Sequence, residues 1–418
     1  METALDTEFA TGKKQGLDVN RIRADFPMLN HEMNGKRLIY FDSAATNHKP
    51  QVVIDRLVEL YTSQYAKPQE AHPLSEYMTF EMENTRAKIA DFIKASDTKE
   101  IVFTKNSTEG INIVANGFAR SILSEGDEII ITALEHQANI VPWQMACDLS
   151  GAKIVVVPLN EKGEVTIEAV QHCISHNTKI ISISHSSNVL GSITPIKEIA
   201  QLAHSTGIPV LLDAAQTAPH MPIDVKELDI DYMVFSIHKM GGPAGIGILY
   251  GKKDWLEKIP PHNGGSENAK DGTYQGTIYK SLPKKFESGT PPFEQIAAVS
   301  VLIDYVTKLD MQKTSKYEEE LLDYATDKLS QIDKIKIYGT SSEKEPVLSF
   351  LLEGKDVKDM ESYLVQEHNI YVRAGKLSSQ PLMKYLGVDG LLRASFCYYN
   401  TREEIDSFVK AVREYAEK

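Results

Sequence analysis

The chain is expected to adopt an α/β fold, and three features of its 418 residues point that way. Between Glu100 and Asp213, short β-branched runs alternate with helical patterns. Such alternation requires crossover connections and a largely parallel sheet covered on both faces. The apolar run Tyr232 to Phe235 continues the series and stops abruptly at Ser236-Ile237-His238-Lys239, before a glycine-rich segment. After about Thr290, helices interleave with short strands, which predicts a smaller α+β domain packed back on the first.

The elements follow in order. Arg21 to Leu29 reads as a short helix and Gly35 to Phe41 as a strand ending in a small-residue turn, Asp42-Ser43-Ala44-Ala45-Thr46. Gln51 to Tyr65 places Val53, Leu57, Leu60 and Tyr61 on one helical face. Ser75 is the expected N-cap of a long helix to Ile93. Strands are predicted at Ile101–Thr104, Glu128–Thr132, Lys153–Val157, Lys179–Ser184 and Ile208–Asp213. Helices are predicted at Ser107–Ala119, His136–Leu149 and Pro195–His204. The second part carries helices at Gln295–Lys308, Ser315–Ile332, Val357–Gln366 and Arg402–Ala416. Its strands are Val347–Leu352, Ile370–Val372 and Leu392–Phe396. The expected division is a large domain, 21–294, and a small one, 295–418, with 21–35 packed against the latter. Residues 1–20 are expected to form a loose tail.

Composition excludes several classes. Apolar residues make up 42% of the chain, as in ordinary globular cores. No run approaches the ~20 apolar residues of a membrane helix, and METALDTEFATGKKQGLDVN lacks the apolar centre of a signal peptide. A cytoplasmic protein is expected. A formal charge of −13, with both signs interspersed, argues against nucleic-acid binding. Cys147, Cys173 and Cys397 are far apart, so neither a disulfide framework nor a metal site is expected.

In parallel sheets, ligands sit beyond the carboxyl ends of the strands, so what each strand end carries is informative. Lys239 follows a buried strand, where desolvation would lower its pKa toward a nucleophilic amine. Taken alone, it reads first as a surface lysine in a strand-to-loop turn. The strand ending at Thr104 leads into Asn106-Ser107-Thr108 at a helix start, where free N–H groups and two hydroxyls make an anion site. A capping box from Ser107 to Gly110 is compatible with that role. His136 follows the next strand and could stack on a planar ligand. Asn188 follows another, with a donor and an acceptor to offer. Asp213 ends a strand, with Gln216 after it. A buried acid needs a cationic partner, and a protonated pyridine nitrogen supplies one. One cofactor uses all of these groups together: pyridoxal 5'-phosphate needs an anion cradle, an acid for its ring nitrogen, a stacking ring and a lysine for its aldehyde.

At this point the sequence resembles the class V aminotransferase family of pyridoxal-phosphate enzymes, and within it the SUF-type cysteine desulfurase and selenocysteine lyase group. DAAQ at Asp213–Gln216 and SIHKMGGPAGIGILY at Ser236–Tyr250 carry the resemblance, together with RADFPML, YFDSAA, NSTEGINIVAN, EHQANIVPWQ, SNVLGSITPI, FESGTPP and LLRAS. It spans nearly the whole chain. It implies an aspartate-aminotransferase-like fold, a homodimer and a small amino-acid substrate. It also implies roles. Lys239 would hold the aldehyde, His136 would stack on the ring, Asp213 would hold the ring nitrogen and Gln216 would reach the phenolic oxygen. Ser107, Thr108, Ser236 and His238 would bind the phosphate, and Thr290 would reach the cofactor of the partner subunit. Arg393 would bind the substrate carboxylate with Asn188 assisting; a guanidinium fork suits that task.

The resemblance fails in two loops. The desulfurases carry a catalytic cysteine five residues after an arginine that matches Arg373, and Ser378 stands there. Lys376 and Leu377 replace the usual histidines, and Pro68 to His72 replaces a usual His-Arg-Gly. Serine has no accessible anion near neutral pH and forms no persulfide. The chain is therefore expected to activate the α-carbon of an L-cysteine-like or L-selenocysteine-like amino acid, without a persulfide on Ser378. The alternatives are an aminotransferase or epimerase of the same family, or a non-catalytic partner in sulfur transfer. A sulfur-acceptor protein is a further possible partner.

Overall fold

A computed structural model describes residues 17–33 and 35–418. Most of the expected tail, 1–20, lies outside the described residues. Its last two residues, Val19 and Asn20, already belong to helix Val19–Ala24, because Asp18 caps that helix by accepting from the Arg21 N–H.

Seven strands form the main sheet: β1 Ile101–Thr104, β2 Glu128–Thr132, β3 Lys153–Val157, β4 Thr178–Ser184, β5 Val210–Asp213, β6 Tyr232–Ser236 and β7 Gly247–Gly251. Their spatial order is β1-β7-β6-β5-β4-β2-β3. β7 runs antiparallel to both its neighbours, and the other six strands are parallel to one another. The glycine-rich segment after Lys239 thus leads into an interior strand, second from the sheet edge, that its composition conceals.

Alternation along the strands divides the core. Ile129, Ile131, Tyr232 and Val234 face one apolar cluster, with Phe118 and Trp143 of the helices Ser107–Ser121 and Val141–Ser150. Ile130, Met233 and Phe235 face the other, with Met78 and Ile89 of helix Pro73–Phe92. Side chains of period two, buried on both faces, explain why the runs are almost wholly apolar. Helix Pro73–Phe92 begins earlier than expected, because the His72 ring, not Ser75, accepts at its N-cap.

The expected division between residues 294 and 295 falls within helix Phe293–Leu309. Twelve of its seventeen residues are buried, and its apolar side chains belong to the core of the large sheet. A helix apolar on all sides has to be enclosed. A separate core begins at Leu321, on helix Met311–Ser330. It lies against a four-stranded antiparallel sheet: β8 Ile335–Tyr338, β9 Val347–Leu352, β10 Arg373–Gly375 and β11 Leu391–Ser395, in the order β8-β9-β11-β10.

The N-terminal segment touches both cores. Phe26 packs on Tyr305 and Tyr399 in the first. Ile39–Tyr40 pairs in parallel with Ile370–Tyr371, and Phe41 enters the second core against Phe396. Among the described residues, no helix is long and apolar enough to cross a membrane.

Candidate active site

The carboxyl ends of β1, β2, β4, β5 and β6 surround a cavity of about 550 Å³, and the loop after β10 and one residue of β11 complete it. Ser107, Thr108, His136, Asn188, Asp213, Gln216, Ser236, His238, Lys239, Arg373, Ser378 and Arg393 all line it. Thr290 does not; it is exposed on the loop before helix Phe293–Leu309.

Lys239 sits in the turn Ile237–Met240 that follows β6 and is closed by Gly241 at φ +96°. Among the described residues, its amine has no hydrogen-bond or ion-pair partner. Burial pushes its pKa down, the Asp213 charge pushes it up and the Arg393 charge lowers it, leaving it at about 8. Asp213 is buried at the end of β5 and accepts from the Ala215 N–H at 3.0 Å. Burial raises its pKa; the Ala215 bond and the Lys239 charge oppose that. The Gln216 amide donates to Ala44 O at 3.0 Å, which leaves one of its two N–H groups uncommitted.

At the far side, Asn106 rather than Ser107 caps the helix, accepting from the Glu109 N–H at 2.9 Å. Ser107 and Thr108 therefore open the first helical turn toward the cavity. The Ser107 N–H donates to Ser236 Oγ at 2.9 Å, and the two hydroxyls lie 2.7 Å apart. His238 Nδ1 meets Thr46 Oγ1 at 3.1 Å, and its pKa falls to about 4, through burial first and then the Lys239 and Lys49 charges. Backbone packing holds this end in place. A Cβ on Gly247 would lie 2.4 Å from the Asn106 Cα, so only glycine lets β7 pass beneath the loop.

The His136 Nδ1 accepts from the Ala138 N–H at 3.0 Å, and burial lowers its pKa to about 4, helped by the Lys239 and Arg393 charges. It is a neutral ring held by its own turn. Beneath it, the buried Glu135 carboxylate accepts from Thr132, Asn139 and Ser184, tying the end of β2 to that of β4.

The third side belongs to the small sheet. The buried Arg393 donates through Nη1 to Asn188 O at 2.8 Å and through Nη2 to Asp42 at 2.9 Å, and its Nε has no partner among the described residues. Asn188 spends its amide on the loop: Nδ2 donates to Leu377 O at 2.9 Å, and Oδ1 accepts from Ser379 at 3.2 Å. The Gln137 N–H, beside His136, donates to Ser378 O at 2.9 Å. Leu377 and Ser378 are both left-handed, at φ +53° and +54°. That conformation is costly for residues with a Cβ, so the loop is tightly held where it meets the cavity.

Asp42 is the residue that sequence reasoning left in a turn. It is buried and bridges both arginines. A buried acid after the run LIYF was the available signal, but its partners come from strands more than three hundred residues away.

The groups present fit pyridoxal phosphate. The cavity offers an unpaired amine, a buried carboxylate, a neutral ring and an anion cradle at a helix start, with a buried arginine at the opposite end. The fold and the cavity together define a pyridoxal-phosphate enzyme with a large and a small domain. The sequence profile described as Aminotransferase class-V matches residues 39–408, and the chain belongs to that family. Pyridoxal phosphate is its cofactor.

The chain is 42% identical over 399 residues to a cysteine desulfurase of Synechococcus elongatus, covering 95% of this chain and 64% of that protein. It thus spans less than two thirds of that relative's length. A cysteine desulfurase of Yersinia pestis is 43% identical over 397 residues, covering 94% of this chain and 97% of that one. Among solved structures, the Escherichia coli cysteine desulfurase CsdA (S-sulfonic acid) superimposes with a TM-score of 0.89 at 35% identity, over 96% of this chain and 99% of that one. The apo cysteine desulfurase of Thermococcus onnurineus does so at 0.91 and 32%, over 97% and 99%.

Proposed function

We propose that this enzyme cleaves the C–Se or C–S bond of an L-selenocysteine-like or L-cysteine-like amino acid, and that it does so without a persulfide on its own loop. The observation that carries this reading is the joint lining of one cavity by Lys239, Asp213, Arg393 and Ser378.

Pyridoxal phosphate, when bound, supplies an electron sink for charge developing at the substrate α-carbon. The residues divide the remaining work. Ser107, Thr108, Ser236 and His238 would donate to the phosphate, Asp213 would hold the ring nitrogen, Gln216 would reach the phenolic oxygen and the neutral His136 ring would stack on the cofactor ring. The Arg393 fork takes the α-carboxylate, with Asn188 fixing its Nη1. Lys239, with its pKa near 8, is able to accept and return a proton near neutral pH.

Ser378 occupies the position of the desulfurase cysteine but offers only a hydroxyl, which is no acceptor for sulfur. Selenium leaves more readily than sulfur and depends less on a thiol. Loss of selenium as Se(0) to an external thiol leaves alanine; β-elimination, with uptake of water, instead leaves selenide, pyruvate and ammonia. The exposed Thr290 takes no part in its own chain's cavity, which supports a homodimer in which it reaches the partner's cofactor.

A panel of amino acids added to the holoenzyme, watched through the visible band of the bound cofactor, tests the reading. L-selenocysteine and L-cysteine are expected to perturb the band and then let it recover. No change with either contradicts the reading. Lasting loss of the band with a common amino acid points instead to an aminotransferase, a reading that the hydroxyl of Ser378 suits equally well.

A further inference from the structure

A second cavity, of about 430 Å³, opens between helix Met311–Ser330 and the loop 339–346 that joins β8 to β9. It shares no lining residue with the active-site cavity. Ile193, Leu322 and Ile337 give it apolar walls, whereas its floor and mouth are acidic.

The floor holds Glu345, which is 5% exposed. Its backbone is fixed, the N–H donating to Gly191 O at 2.9 Å. Its carboxyl has no hydrogen-bond or ion-pair partner among the described residues. Buried polar groups nearly always have one, and the neighbours are already committed. His220 Nδ1 and the Tyr398 N–H both donate to Glu318, at 3.0 and 2.8 Å, and Lys344 donates to Gly339 O at 2.6 Å. At the mouth, Glu319, Asp323 and Glu343 are exposed and have no ion pair among the described residues. No three His, Cys, Asp or Glu among the described residues are placed to hold a metal ion. A cation that brings its own hydrogen-bond donors fits these acids instead.

We propose that this cavity binds a linear alkyl diamine, one ammonium on the Glu345 carboxylate, the methylenes along the apolar walls and the second ammonium at the acidic mouth. Burial raises the Glu345 pKa, the His220 charge lowers it and the Glu318 charge raises it, leaving it at about 8. An entering ammonium therefore displaces the carboxyl proton, and binding strengthens as pH rises through 8. Lys344, lowered to about 8 by burial, and His220, at about 9, lose charge over the same range and act in the same direction.

The test is calorimetric titration of the holoenzyme with 1,6-diaminohexane, with 1-aminohexane and 1,6-hexanediol as controls. The visible band of the cofactor is followed alongside. The diamine is expected to bind without changing the band, about tenfold more tightly at pH 9 than at pH 7, as the ionised fraction of Glu345 rises from about one tenth to about nine tenths. 1-Aminohexane is expected to bind at least fivefold more weakly, and 1,6-hexanediol not at all. Glu345→Gln is expected to weaken the diamine at least tenfold at pH 9 and to remove most of the pH dependence. Asp323→Asn, at the exposed mouth, is expected to weaken the diamine severalfold and leave 1-aminohexane unchanged. Absence of diamine binding overturns the proposal, as does wild-type affinity in either variant. Binding seen only together with a change in the visible band places the amine on the cofactor and overturns it too.

Discussion

Replacing Gly247 with alanine is expected to weaken cofactor binding without touching a single group that contacts the cofactor. Gly247 is the first residue of β7 and pairs with Thr104 and Ser236, the last residues of the two flanking strands. Its added Cβ would meet Asn106 Cα and C at 2.4 Å and Asn106 N at 2.8 Å. Ordinary contact begins at 3.4 Å, so the loop has to retreat by about 1 Å, and all three atoms are backbone. Overpacking of this kind costs roughly 1–3 kcal/mol. The retreat also moves the Ser107 and Thr108 donors away from the phosphate, and a hydrogen bond to a charged group is worth about 1.5–3 kcal/mol. Loss of one such bond corresponds to a Kd for pyridoxal phosphate about tenfold to a hundredfold higher, at 1.4 kcal/mol per decade. Titration of apoenzyme with the cofactor, followed by absorbance, measures this directly. Gly276→Ala is the control, because nothing lies within 4 Å of a Cβ there. Wild-type affinity in the Gly247→Ala enzyme would refute the idea that this glycine exists to seat the anion loop.

Three further outcomes are expected. The rate at which apoenzyme captures pyridoxal phosphate should climb with pH through an inflection near 8, where the buried Lys239 is half deprotonated, rather than near the ordinary 10.5; Asp213→Asn, which removes the charge that raises this pKa, should move the inflection lower, and an inflection near 10.5 in the wild type contradicts the assignment. Ser378→Ala should leave product formation unchanged, and only Ser378→Cys should carry protein-bound sulfane sulfur after incubation with L-cysteine, as read by cyanolysis. The buried pair His220–Glu318, 3.0 Å apart beside Glu345, should hold the two cores together at their contact. Burial lowers the His220 pKa, but the Glu318 charge and hydrogen bond raise it to about 9. Its folded-state value therefore exceeds the ordinary 6.5, so its stabilisation is complete below that pH and fades as pH rises through 9. Glu318→Gln should cost about 3–5 kcal/mol, as expected when one partner of a buried pair is removed, and should flatten this alkaline decline in chemical denaturation.

Sequence exposes the strands whose both faces are buried. The runs at Ile129–Ile131 and Met233–Phe235 have to be apolar throughout, because alternate side chains enter different cores. It conceals β7, where Gly247 is chosen for a backbone that passes beneath it and not for strand propensity. The hairpin Ala269–Thr273 with Gly276–Tyr279 is exposed along nearly its whole length, so no alternation betrays it. Local patterning also misplaces caps. Asn106, not the adjacent Ser107, caps its helix, the two being equally good candidates by type, and the His72 ring caps the other helix although Ser75, three residues on, is the better candidate by type. The cavity itself was legible because strand ends converge by topology, so residues far apart in the chain can be grouped without knowing any distance. Asp42 was not, because its meaning depends on Arg373 and Arg393 standing opposite each other across β10 and β11.

The most direct measurement is product analysis of the wild-type holoenzyme supplied with L-selenocysteine and, separately, with L-cysteine, with alanine, pyruvate and sulfide or selenide quantified alongside cofactor-free controls. The structure leads us to expect turnover of L-selenocysteine, with no sulfur or selenium left covalently on the protein. No product from either substrate, or selenium retained on the chain as a required intermediate, would contradict the account.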